Sequence, residues 1–208
     1  MSKLAKALLC GTLLTTLASL QGCIGVMVGG AAATAMAGVD RRTLGAQADD
    51  KGISVKADLR IPKITGKDGH VNANSFNRKV LLTGEVKDEA MKASVEREVR
   101  AIDGVISVIN ELEIAPPTTY TARSSDAIIT GKVKASLVDM KTISATSFKV
   151  VTERGVVYLM GRVTQREGQV GADVTRGVSG VQKVVKILEY ISEEELRTIS
   201  PNTATVPL

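Results

Sequence analysis

The residue of this chain best placed for chemistry is Cys23, because of what precedes it. Leu20-Gln21-Gly22-Cys23 closes an apolar run that follows Lys3 and Lys6. A charged start, an apolar stretch and a small residue before a cut make up a secretory signal. A cysteine directly after the cut is where a bacterial lipoprotein precursor is acylated. The expected chemistry is therefore attachment of lipid to the Cys23 thiol, with residues 1–22 removed as a signal peptide and Cys23 as the first mature residue. The competing reading is a membrane-spanning helix. Ala7 to Leu20 is 14 residues long, short of the roughly 20 that a span needs. The next apolar run, Ile24 to Val39, is mostly Gly and Ala, which drive insertion poorly. Acyl chains, at about 0.8 kcal/mol per buried methylene, would hold an otherwise soluble chain on a membrane.

Other arrangements that could do chemistry fall away. His70 is the only histidine, so a His-based triad or a metal cluster has nothing to build on. Ser124-Ser125-Asp126 is more economically a helix N-cap than a nucleophile. Gly25 to Gly38 has no preceding strand and no Gly-Lys-Ser/Thr close, so it is not a phosphate loop. The adjacent Asp88 and Glu89 sit at a helix start, where the dipole favours acids. The expectation is a protein that is not an enzyme, with no metal and no cofactor beyond the covalent lipid on Cys23.

Composition narrows the partners. Cys10 is lost with the signal, so folding rests on packing without disulfides. Losing Lys3 and Lys6 and no acid takes the formal charge from +5 to +3. Trp is absent and aromatics are 2% of the chain, which argues against the stacking platforms that bind single-stranded nucleic acid.

The elements that must position any site are written twice. Val80-Leu81-Leu82-Thr83-Gly84-Glu85-Val86 matches Val157-Tyr158-Leu159-Met160-Gly161-Arg162-Val163 at an offset of 77, Asp103-Gly104-Val105 matches Ser179-Gly180-Val181 at 76, and Val55-Lys56-Ala57-Asp58-Leu59 matches Val133-Lys134-Ala135-Ser136-Leu137 at 78. Two copies are too few for a solenoid, and each is about the size at which a small domain folds. In the second copy Ile129, Val133 and Leu137 stripe a helix. Two strands follow around Arg154-Gly155. Thr164 and Glu167 then form a capping box, and Val170, Val174 and Val178 stripe a second helix. Gly180 turns the chain into the last strand. The order is α-β-β-α-β. In the first copy Ile53, Val55 and Leu59 make a weaker stripe, which Ile61-Pro62-Lys63 should end, and Met91, Val95, Val99 and Ile102 stripe its second helix. The expected organisation is a tether over 23–48, domains over 49–114 and 124–191, a stiff extended linker over 115–123, and a disordered tail over 192–208.

A lipobox followed by two such units, each with a strand–Gly–x–Val and a later Gly–Val strand, resembles the dual BON-domain lipoproteins of Gram-negative bacteria. Val39 to Gln47 and Lys149 to Glu153 carry the resemblance as well. It implies an α+β fold of two tandem BON domains, each with a three-stranded mixed sheet packed against two helices. It also implies an outer-membrane lipoprotein facing the periplasm, since Ile24 stands where an Asp would resemble an inner-membrane retention signal. The implied partner is anionic phospholipid, phosphatidylglycerol or cardiolipin, bound through the second domain, with roles in envelope integrity and division-site membrane organisation.

Charge agrees with that asymmetry. Residues 49–114 sum to −1 and residues 124–191 to +4, and each basic residue near an anionic surface is worth about 1 kcal/mol. Ile128 lies off the core stripe with Lys132 one turn on. In the resembling family a Trp holds the place of Ile128. Arg123, Asp126, Ala127, Ile128 and Lys132 are the expected lipid-binding residues. The alternative is an interaction adaptor that docks an envelope assembly or division protein, for example by β-augmentation at a sheet edge.

Overall fold

The computed structural model describes residues 40–199. The signal, Cys23 and most of the expected tether lie outside the described residues. Each copy opens on a long helix, α1 (Leu44–Thr65) or α3 (Tyr120–Asp139), whose N-cap threonine, Thr43 or Thr119, accepts a hydrogen bond from the N–H of Ala46 or Ala122. Antiparallel hairpins follow: β1 (His70–Phe76) with β2 (Lys79–Val86), and β4 (Phe148–Glu153) with β5 (Val156–Thr164). A crossover helix, α2 (Glu89–Arg100) or α4 (Gln165–Arg176), then brings β3 (Ser107–Ile114) or β6 (Lys183–Ile191) parallel to the middle strand. The expected α-β-β-α-β order and three-stranded mixed sheets are present in both copies. So is the Thr164–Glu167 capping box.

The first helix departs from its expected form. It runs through Pro62 to Thr65. The proline removes one N–H donor, but its own carbonyl accepts from the Gly66 N–H, and Ile61 and Thr65 on either side are buried. The face differs too. Val55 and Leu59 are 51% and 65% exposed, whereas Asp50, Ile53, Ala57, Ile61 and Thr65 are buried. Ala57 and Ile61 therefore stand where Val133 and Leu137 stand in α3, an offset of 76 rather than 78. At 3.6 residues per turn, a two-residue shift moves a side chain about 200° round the helix.

A buried carboxylate fixes that alignment. Asp50 accepts from the N–H groups of Asn77 and Arg78, both at 2.7 Å, and from the Ser75 hydroxyl at 2.6 Å. Asp126 accepts from the N–H groups of Arg154 at 2.8 Å and Gly155 at 2.9 Å. Both hairpin turns are left-handed, with φ of 49° and 65° at Asn77 and Arg78 and of 52° and 74° at Arg154 and Gly155. In each copy one helix aspartate satisfies the amides that such a turn leaves without strand partners.

The two copies form one packed body. In β2, Val80, Leu82 and Val86 face α1 and α2; in β5, Val157, Leu159 and Val163 face α3 and α4. The opposite faces meet each other: Phe76, Leu81, Tyr158 and Met160 share a buried cluster flanked by Ile109, Val151, Val185 and Ile187. The result is four layers, helices–sheet–sheet–helices, in the manner of stacked sheets. The segment expected as a stiff, extended linker is held to this seam, since Thr118 donates its N–H and hydroxyl to Glu85, a fully buried residue of β2.

Both ends of the described chain are ordered against the body. Arg41 makes a two-pronged ion pair with Glu167 of the second copy, at 2.7 and 2.8 Å, and also donates to the Arg162 carbonyl. Arg42 reaches Asp50 of the first copy at 2.6 Å and lies over the Phe76 ring. At the other end, part of the expected disordered tail is a helix, α5 (Glu193–Ile199). Ser192 accepts from the Glu195 N–H, Leu196 is buried, and Glu195 and Glu193 pair with Arg162 and Arg166. The acidic run reads as solvated tail by composition; at a helix N-terminus the same charges favour the helix.

Candidate lipid-facing helix

The core side of α3 is set by Asp126, Val133 and Leu137, which leaves its opposite side to solvent. There the spacing 120, 124, 128, 131, 135, 138 follows the helical repeat and places Tyr120, Ser124, Ile128, Gly131, Ala135 and Val138 in one exposed stripe. Tyr120 is 83% exposed, Ile128 60% and Val138 67%. Lys132 flanks the stripe on one side, and Ala127 and Lys134 on the other, all exposed. No acid faces outward between Tyr120 and Val138, because the carboxylate of Asp126 is turned into the body; Asp139 follows at the end of the helix.

Of the five residues expected to bind lipid, Ala127, Ile128 and Lys132 lie on this outer face. Asp126 does not: it is buried and spent on the β4–β5 turn. Arg123 is half-buried. Its guanidinium donates to the Thr118 carbonyl at 2.8 and 3.2 Å and stacks 5.0 Å from the Tyr120 ring centre. Opening the helix at Ser124 leaves Tyr120 outside it, while Lys134 and Val138 lie within that helix and carry no signal beyond exposure. The cap at Thr119 was legible as a threonine before a periodic run. Ser124 and Ser125 instead bond back to the carbonyls of Tyr120 and Thr121 inside the helix.

A shallow groove of about 500 Å³ runs beside the stripe between α3 and α4, with Lys132, Ala135 and Ser136 on one side and Val174, Gly177, Val178 and Ser179 on the other. Its walls are small and apolar and its rim carries a cation. His70 stands at the seam, with Nδ1 3.6 Å from a Glu85 oxygen. Among the described residues no group of His, Cys, Asp and Glu could hold a metal ion. Nor is any described helix long and apolar enough to cross a membrane.

Residues 54–116 and 125–192 each match the BON domain. The chain belongs to the BON domain family. Over 174 residues, 83% of this chain and 90% of the relative, it is 36% identical to the Outer membrane lipoprotein DolP of Haemophilus influenzae. It is 30% identical over 155 residues, 74% of this chain and 80% of the relative, to the 21 kDa hemolysin of Actinobacillus pleuropneumoniae. A more distant relative is the Osmotically-inducible protein Y of Escherichia coli, 25% identical over 65% of this chain and 70% of its own length. Both matched BON segments begin inside the long helices, so the family unit is carried further toward the N-terminus by nearly three turns in α1 and by little more than one in α3.

Proposed function

We propose that this BON protein is a non-catalytic lipoprotein, acylated at Cys23 and held on the periplasmic side of the outer membrane. Its second domain rests on anionic phospholipid through the outer face of α3. The observation that carries this is the stripe itself: exposed Tyr120, Ile128 and Val138, flanked by Lys132 and Lys134 with no outward acid between its ends. Apolar side chains beside cations are what an interfacial helix needs, and tyrosine favours the headgroup layer. Tyr120 thus gives this chain an aromatic contact although Ile128 stands where the resembling family has Trp. The name of the Haemophilus influenzae relative supports the outer-membrane address. Binding phosphatidylglycerol or cardiolipin would place the protein in envelope integrity and division-site membrane organisation.

The test is lipid titration of the chain from Cys23 onward, followed by NMR. Phosphatidylglycerol micelles should shift the amides of α3 and leave α1 unmoved. The double change Ile128→Glu with Lys132→Glu should remove the response and keep the fold, and Val138→Glu should weaken binding about tenfold. An equal response to neutral lipid, or shifts confined to the first domain, would sink the reading.

A further inference from the structure

The two long helices carry the same outer stripe with different flanks. At an offset of 76, Ala48, Gly52, Val55 and Leu59 of α1 stand where Ser124, Ile128, Gly131 and Ala135 stand in α3, and all eight are exposed. The flanking positions of α3 hold Ser125, Ala127, Lys132 and Lys134. Those of α1 hold Asp49 and Lys56 on one flank and Lys51 and Asp58 on the other, all exposed, one acid and one base on each. An exposed apolar stripe of this length marks an interface, but the two aspartates suit an anionic lipid surface badly.

We infer that the outer face of α1 pairs antiparallel with α1 of a second copy, about a two-fold axis between Gly52 and Val55. In that register every facing position is complementary. Val55 meets Gly52 of the second copy and Leu59 meets its Ala48, large against small, which lets the helices approach to about 8 Å. On the flanks Lys51 meets Asp58, and Lys56 meets Asp49, and the symmetry repeats each contact. A parallel pairing would set Lys51 against Lys56 instead, so the charges select the antiparallel one. None of these four residues has an ion-pair partner among the described residues, so the flanks are available to a second copy.

The experiment uses the chain from Cys23 onward in solution, since two copies resting on one membrane through α3 would turn their α1 faces the same way. Ala48→Cys with Leu59→Cys should give an oxidised dimer. The two cysteines lie about 16 Å apart along one helix, too far for a disulfide within a chain, and the parent chain controls for Cys23. Adding Lys51→Glu or Asp58→Lys alone should cut the dimer yield about tenfold, since each turns attraction into repulsion twice. Adding both should restore it. All of these positions are exposed, and the restored double change shows that the single changes did not act through folding. Absence of a linked dimer, or equal yields with and without the single reversals, overturns the proposal.

Discussion

Glu113 and Glu189 occupy the same place at the ends of β3 and β6, and each takes a cation from the other copy's hairpin. Arg154 Nε lies 3.2 Å from Glu113, and Lys79 Nζ lies 2.8 Å from Glu189. The body therefore has an approximate internal two-fold, with each turn docked on the far end of the opposite sheet. These pairs are partly exposed and orient the sheets more than they stabilise them. The apolar cluster between the sheets supplies the stability.

Removing part of that cluster should separate the copies energetically. Tyr158→Ala deletes a ring that is buried against the opposite sheet and should cost about 3–5 kcal/mol. Urea denaturation followed by circular dichroism should show one transition in the parent protein and two in the variant. A single unshifted transition would mean that the sheets do not stabilise each other.

Asp126 is expected to matter for folding and not for lipid. Asp126→Ala strands the buried N–H of Gly155 and the part-buried N–H of Arg154, at a cost of about 1–3 kcal/mol. Below its denaturation midpoint the variant should bind phosphatidylglycerol as well as the parent does. A loss of binding without a loss of stability would return Asp126 to the lipid site.

The Arg41–Glu167 contact should fail in acid. Burial by itself would raise the Glu167 carboxyl, but hydrogen bonds from Arg41 and the Thr164 N–H, with the charge of Arg41, outweigh it and hold the carboxyl below its usual 4.5. A carboxyl whose folded pKa is depressed contributes stability above its unfolded value and loses it as pH falls through the folded one. The loss therefore falls below about pH 4.5. Glu153 has the opposite sign: burial raises its pKa, so protonating it favours the folded state as pH falls. Urea midpoints between pH 3 and 7 should drop at the acid end in the parent, and Arg41→Ala should flatten that drop. An identical pH profile in both proteins would show that Arg41 does not govern Glu167.

Much of this was legible in the chain, and the misses have physical causes. The strands and the second helix of each copy follow from alternation, capping residues and glycines. Ile128 and Lys132 were legible because the core stripe of α3 is regular enough to leave them outside it. Asp126 misled because Ser124-Ser125-Asp126 reads as a helix N-cap, and only the left-handed turn of Arg154 and Gly155 explains why a carboxylate is buried there. In α1 the identical letters Val-Lys-Ala at an offset of 78 hid the true offset of 76, since Val55 and Leu59 are apolar on an outward face. The stacking of the sheets did leave a signal. Val80-Leu81-Leu82 and Val156 to Met160 are continuous apolar runs, and a strand covered on both faces reads that way. The run cannot say what covers the second face.

The placement of α1 and α3 in opposite outer layers limits what this molecule can do at a membrane. No flat surface touches both helices at once. When α3 lies on lipid, α1 is presented away from it, with the whole thickness of two sheets between. Under the proposed lipid contact the internal repeat becomes a polarity: one copy turns to the membrane and its duplicate to whatever approaches from the aqueous side.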